Sequence, residues 1–161
     1  MPTTRSTVYV ARPRTSGMYR TILIATDGSE YSDAAAAHAI DLAHKYDAAL
    51  HALSVIEMDV SFSETISEQM LKDLEGRGQK AVDTITARAH DAGVTSVEGT
   101  VVRGTPHRAI VDYAHDHGAD LVVVGTHGRR GLDRLLLGSV AERVLRTADV
   151  PVLVVREKKA E

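Results

Sequence analysis

The sequence predicts a doubly wound α/β fold of Rossmann-like type, with one five-stranded parallel sheet, helices on both of its faces, and a single domain. Two observations carry that prediction. Between Thr21 and Val155, short apolar runs alternate with segments of helical period. A strand, a helix and a second strand in succession imply a right-handed crossover and parallel pairing. The runs are also apolar at consecutive positions, as in Leu121-Val122-Val123-Val124, which is the pattern of strands covered on both faces.

Taken in order, residues 22–26 read as the first strand, and residues 33–46 as a helix with Ala35, Ala39, Leu42 and Tyr46 on one face. Residues 50–56 form the second strand. Residues 64–92 form the second helix, where Ile66, Met70, Leu74, Gly78, Val82, Ile85 and Ala89 recur every three or four positions. Within it, Gly76-Arg77-Gly78 places two glycines that each cost about 1 kcal/mol relative to alanine, so a kink, a mobile stretch or a division into two helices is expected there. Residues 96–102 are the third strand. Thr105 then caps a helix that has Pro106 at its first position and Ala109, Ile110, Tyr113 and Ala114 on its apolar face. Strands at residues 121–124 and 152–155 enclose the last helix, residues 139–146.

A chain of 161 residues has the length of one domain, and a domain of that size buries about 70% of its unfolded surface. With 43% hydrophobic and 25% charged residues, and no apolar run near the roughly 20 residues of a membrane helix, it reads as a soluble protein. Cysteine is absent, which excludes disulfides and thiolate chemistry. No signal-peptide pattern precedes the first strand, so the expected location is the cytoplasm. A net charge of -3 supplies no broad positive field, and neither nucleic acid nor a membrane surface is expected as a partner. Residues 1–17 are polar and aperiodic and read as a disordered arm, ahead of a domain at residues 18–158 and a tail at residues 159–161.

In a doubly wound sheet, ligands sit at the carboxyl ends of the strands where the winding direction reverses, which selects the loops after Ile24, Val55 and Val124. The last of these is distinctive. It runs Gly125-Thr126-His127-Gly128-Arg129-Arg130-Gly131, and Gly138-Ser139 then opens the next helix, a spacing of G-x2-G-x9-G-S. Phosphate oxygens need several convergent N–H donors, and glycine allows the dihedrals and close approach of such a nest. The helix start adds unpaired amides and the positive end of its dipole, Ser139 adds a hydroxyl, and Arg129, Arg130 and Arg134 could add charge. Residues 125–139 therefore read as a cradle for the phosphates of a nucleotide. The alternative is that these glycines only turn the chain and pack helix against sheet. The segment is not a Walker loop, since no Gly-Lys-Ser/Thr follows at the required spacing, and Asp27-Gly28-Ser29 stands where a dinucleotide fingerprint would begin.

These residues resemble the ATP-binding branch of the universal stress protein family, whose signature is matched at Gly125, Gly128, Gly138 and Ser139. The resemblance continues in residues 22–29, in Gly104-Thr105-Pro106 and in Pro151-Val152-Leu153-Val154-Val155. It implies that Ala25, Thr26 and Asp27 lie beside the adenosine and that the backbone of Val55 touches the adenine. It likewise implies that Val124, Gly125, Thr126, His127, Gly128 and Arg129, with Gly138, Ser139 and Val140, contact the phosphates of ATP. Asp27 has an equal claim as a cap of the first helix or its turn. Mg2+ or Mn2+ would be carried by the phosphates, since no carboxylate cage is visible in the sequence. What the resemblance implies about function is nucleotide-dependent regulation in a stress response, through protein partners that the sequence does not name. A slow ATPase or phosphotransfer enzyme, and a module for AMP or cyclic AMP, are the alternatives.

Among eight histidines, His115-Asp116-His117 is the tightest group, but positions two apart in a helix do not share a face, which argues against a metal site. His127 lies inside the phosphate segment, where it could donate to phosphate or stay neutral and pack. No orienting partner marks it as a general base. The family's strand order puts Val152 to Val155 at a sheet edge, where pairing with the same strand of a second copy would make a homodimer; Arg156, Lys158 and Lys159 could instead protect that edge in a monomer.

Overall fold

A computed structural model of the chain describes residues 17–58, 65–127 and 137–156. The elements alternate as expected: β1 (Thr21–Ala25), α1 (Glu30–Tyr46), β2 (Ala49–Glu57), α2 (Glu68–Asp91), β3 (Val97–Gly104), α3 (Pro106–Asp116), β4 (Leu121–Gly125), α4 (Ser139–Thr147) and β5 (Val152–Val155). The five strands form one sheet in the order β3-β2-β1-β4-β5, and every pairing is parallel. The predicted fold class is the observed one. The arm at residues 1–16, Glu64, the tail at residues 159–161, and Gly128, Arg129, Arg130, Gly131 and Arg134 lie outside the described residues.

Strand alternation divides the interior into two cores, because successive side chains point to opposite faces. Ile22, Ile24, Leu50, Ala52, Leu121 and Val123 face α1 and α2, where Ala35, Ala39, Val82 and Ala89 are fully buried against them. Leu23, Leu53, Val122 and Val124 face the other way, onto Ile110, Tyr113 and Ala114 of α3 and Ala141 and Val144 of α4. Each large aliphatic side chain so buried contributes about 1.5–3 kcal/mol. Both faces are covered, which is why the central strands β1 and β4 are apolar at nearly every position.

Several details differ from the sequence reading, among them three that bear on packing. First, α1 begins at Glu30, since the Ser29 side chain accepts from the Ser32 amide and supplies the cap. Second, α2 is continuous through Gly76-Arg77-Gly78, so the expected kink or division does not occur. Gly78 is instead a point of close approach: a Cβ there would lie 3.1 Å from both Ser54 Oγ and Val101 Cγ1. Third, Met70 is exposed although it falls on the apolar stripe. The 24 residues of α2 span about 36 Å, longer than the roughly 26 Å of the eight-residue β3, and its buried positions begin only at Gly78.

Both termini of β1 are fastened from afar. Asp120 Oδ2 accepts the amides of Arg20 and Thr21 at 2.8 and 3.0 Å, so the loop before β4 holds the start of β1. At the other end Thr26 N donates to Leu53 O of β2 at 2.8 Å.

Candidate functional site

From β1 the chain winds outward through β2 to β3, then returns across β1 to β4 and β5. The direction reverses between β1 and β4, and the crevice at their carboxyl ends is where such a sheet receives a ligand. Three segments converge there: residues 25–29, residues 125–127 and the start of α4.

The first is rigid. Thr26 Oγ1 accepts the Gly28 amide at 3.1 Å and donates to Ser32 Oγ at 3.2 Å, while Ser32 Oγ donates to Ser29 O at 2.9 Å. Asp27 Oδ1 accepts the Ser29 amide at 2.9 Å, closing a turn in which Gly28 sits at φ +78°. That φ favours glycine. Asp27 thus does form a turn bond, and Ser29 holds the cap position. Thr26 is spent on internal bonds, so its side chain positions the loop.

In the second segment, Gly125 ends β4 against the first turn of α1. A Cβ on Gly125 would lie 2.7 Å from the carbonyl oxygen of Tyr31 and 2.8 Å from its carbon. Thr126 N donates to Val155 O at 3.2 Å, and Thr126 O accepts Gly138 N at 2.6 Å, which joins β4 to both β5 and the entry of α4. A Cβ on Gly138 would come within 2.8 Å of that same Thr126 oxygen. Both motif glycines therefore have packing reasons of their own, beside any phosphate they admit, and the Gly138 amide is already committed to Thr126.

His127 is half-buried, with Nδ1 bonded to Thr126 Oγ1 at 3.1 Å and its ring 5.1 Å from that of Tyr31. Its Nε2 is buried and has no hydrogen-bond partner among the described residues. An unmet buried nitrogen costs about 1–3 kcal/mol, and an anion at this crevice would give it one.

The third segment is the start of α4. Gly138, extended at φ -61° and ψ 152°, is its N-cap and no side chain caps it. Ser139 is exposed and Val140 half-buried. Ser29 and Ser67 cap α1 and α2 through their hydroxyls, whereas Thr105 occupies the cap position of α3 without the expected side-chain bond, so α3 and α4 both start without a side-chain cap. An uncapped helix start keeps its positive end and free amides for an anion. Of the remaining expected site residues, Ala25 and Val55 are half-buried and Val124 is buried in the core on the α3 and α4 face. Gly128 and Arg129 lie outside the described residues.

At the opposite end of the sheet the structure assembles a cluster that the sequence did not announce. His51 Nδ1 meets Tyr113 Oη at 2.8 Å, and Tyr113 Oη is 3.4 Å from Thr100 Oγ1. The His117 ring stacks on Tyr113 at 3.7 Å, and Glu98 lies 3.9 Å from His51. Burial lowers the His51 pKa below its usual value; Glu98 opposes that shift and His117 adds to it. The four-residue spacing of Tyr113 and His117 on one helix face is a signal that could have found part of it. Among the described residues, no group of three or more His, Cys, Asp or Glu side chains is placed to hold a metal ion.

Fold and crevice together define a doubly wound α/β protein with a crevice between β1, β4 and the start of α4. Residues 18–156 match the profile of the Universal stress protein family, and the chain belongs to that family. A universal stress protein of Methanocaldococcus jannaschii is 40% identical over 147 residues, covering 89% of this chain and 86% of that protein. A second one from the same organism is 31% identical over 163 residues, covering 90% and 99%. Its solved structure superposes with a TM-score of 0.78 at 32% identity, over 89% of this chain and 99% of that one. A universal stress protein crystallised in complex with cAMP superposes at 0.65 with 30% identity, over 86% and 98%.

Proposed function

We infer that this protein binds an adenine nucleotide, ATP, in the β1–β4 crevice, and that occupancy alters the surface it offers to protein partners. One observation carries the reading: Gly138 N bonds to Thr126 O and holds the uncapped start of α4 at the switch point of the sheet. Phosphates would lie at Ser139 and Val140, at residues 125–127 including His127 Nε2, and at Gly128 and Arg129. The adenosine would lie beside Ala25, Thr26 and Asp27, with the adenine at Val55. The motif spacing supports this, and so does the cAMP held by a relative of the same fold. When bound, the phosphates would bring Mg2+ or Mn2+ with them. Two copies would pair through the open edge of β5, and the cytoplasm is the proposed location. Among the described residues, no helix is long and apolar enough to cross a membrane.

The test is titration calorimetry of ATP against wild type and Ser139→Asp. A carboxylate at the first position of α4 suits the helix dipole and repels phosphate. The variant is expected to melt no lower than wild type while losing about tenfold or more in ATP affinity. Unchanged affinity would overturn the phosphate assignment. The mass of the nucleotide released from freshly purified protein distinguishes ATP from AMP and cyclic AMP.

A further inference from the structure

Gly76-Arg77-Gly78 stood out in the sequence, and the crevice accounts for none of it. In the structure this stretch borders a cavity of about 360 Å3 between α1 and α2. On one side the cavity is lined by Gly28, Ser29 and Asp33, and on the other by Arg77, Lys80 and Thr84. Gly78 lets α2 ride close to β2 and β3.

The charge of this cavity is unbalanced. Asp33 is paired with Arg88. Arg77 and Lys80, three residues apart on the same helix, have no ion-pair partner among the described residues. Like charges at that spacing repel each other, while the neighbouring start of α1 is capped by Ser29 and carries Glu30 and Asp33 in its first turn. Two unpaired cations on one wall of the cavity, facing an Asp33 already held by Arg88, select an anion. The Thr84 hydroxyl already donates to Lys80 O at 2.9 Å, so recognition falls to the two cations. A guanidinium fork beside a point-charge ammonium suits a phosphate dianion.

The position narrows the ligand further. The cavity opens at Gly28 and Ser29, directly after the residues assigned to the adenosine, whereas the 5′-phosphates are assigned to the start of α4. We propose that Arg77 and Lys80 form a second phosphate subsite, for a phosphate on the 2′ or 3′ oxygen of the ribose of an adenine nucleotide. This rests on the nucleotide reading above.

Calorimetry with AMP, adenosine 2′,5′-bisphosphate, adenosine 3′,5′-bisphosphate and ATP tests it on wild type and on the Arg77→Gln/Lys80→Gln double variant. Both side chains are exposed, and the variant is expected to keep the wild-type melting curve. At least one bisphosphate should bind wild type about tenfold tighter than AMP, and that advantage should vanish in the variant while ATP affinity holds. If ATP binds but neither bisphosphate surpasses AMP, the subsite is overturned and the nucleotide reading stands. Equal losses for ATP and bisphosphate in the variant also overturn it, since the cations would then serve the 5′-phosphates. AMP binding that tightens as much with added inorganic phosphate overturns the attachment to ribose. If no nucleotide binds, the underlying reading fails as well.

Discussion

The Gly138 amide donates to the Thr126 carbonyl oxygen at 2.6 Å, and a Cβ on Gly138 would stand 2.8 Å from that same oxygen. The last helix is thus tied to the end of β4 by a bond that only glycine is small enough to make. The first motif glycine, Gly125, is pressed in the same way against Tyr31 of α1.

Gly125→Ala and Gly138→Ala are therefore expected to destabilise the fold, each by about 1–3 kcal/mol, because the obstructing atoms are backbone and have little room to yield. Urea denaturation without nucleotide measures this directly. If either variant matches wild type, the packing role assigned to that glycine is wrong. A loss of nucleotide binding in these variants alone would not identify a phosphate contact.

The two glycines of α2 should behave differently. Nothing lies within 4 Å of a Cβ on Gly76, whereas one on Gly78 meets Ser54 and Val101 at 3.1 Å. Gly76→Ala should stabilise the protein by about 0.5–1 kcal/mol through helix propensity. Gly78→Ala should lose most or all of that gain to crowding. Thermal melts of the pair, read side by side, check the difference.

His51 gives a pH dependence whose sign is fixed by its burial. Its folded-state pKa is lowered from 6.5, so the unfolded chain holds the proton more tightly. The contribution of neutral His51 to stability is complete above about pH 6.5 and is lost as pH falls through the folded-state value. Stability of wild type should drop on acidification below about pH 6.5 more steeply than that of His51→Gln. NMR titration of the His51 ring should report a midpoint below 6.5; a midpoint above it would contradict the assignment.

Asp120→Ala removes the acceptor shared by Arg20 N and Thr21 N. The expected cost is about 1–3 kcal/mol by chemical denaturation, with Asp120→Asn milder because one amide oxygen can still accept both bonds. Equal stability of all three proteins would show that the start of β1 does not depend on this carboxylate.

Dimer formation has its own test at β5. Pro151 O and Val155 O bond to β4, so in a parallel ladder the amides of Val152 and Val154 point to the open edge. Sedimentation velocity should show a dimer for wild type and a monomer for Val154→Pro, since proline removes one of those donors. A wild-type monomer at micromolar concentration would remove the proposed pairing.

How legible the fold was can be judged element by element. The strands appeared because each is apolar at consecutive positions, and α3 appeared complete, from Pro106 at its first turn to Ile110, Tyr113 and Ala114 on its buried face. Helix starts were less accurate: the reading placed α1 at Asp33, three residues late, because its cap, Ser29, bonds an amide rather than joining the apolar stripe. Met70 was misplaced because periodicity records which face a residue shares, and says nothing of where the neighbouring sheet stops.

The site divides along the same line. Spacing alone placed Gly125, Gly138 and Ser139 in one unit, since a loop after a strand and a helix start are local features written in consecutive residues. Their sequence determined the fold class, the order of elements and the crevice in which a ligand would lie. Tertiary structure decided what the chain order does not encode: that Gly125 serves Tyr31, that Gly138 serves Thr126, that His127 Nε2 has no partner among the described residues, and that Arg77 and Lys80 look across at Ser29. Those relationships depend on residues that are not neighbours in the chain, and they exist only once both faces of the sheet have been covered.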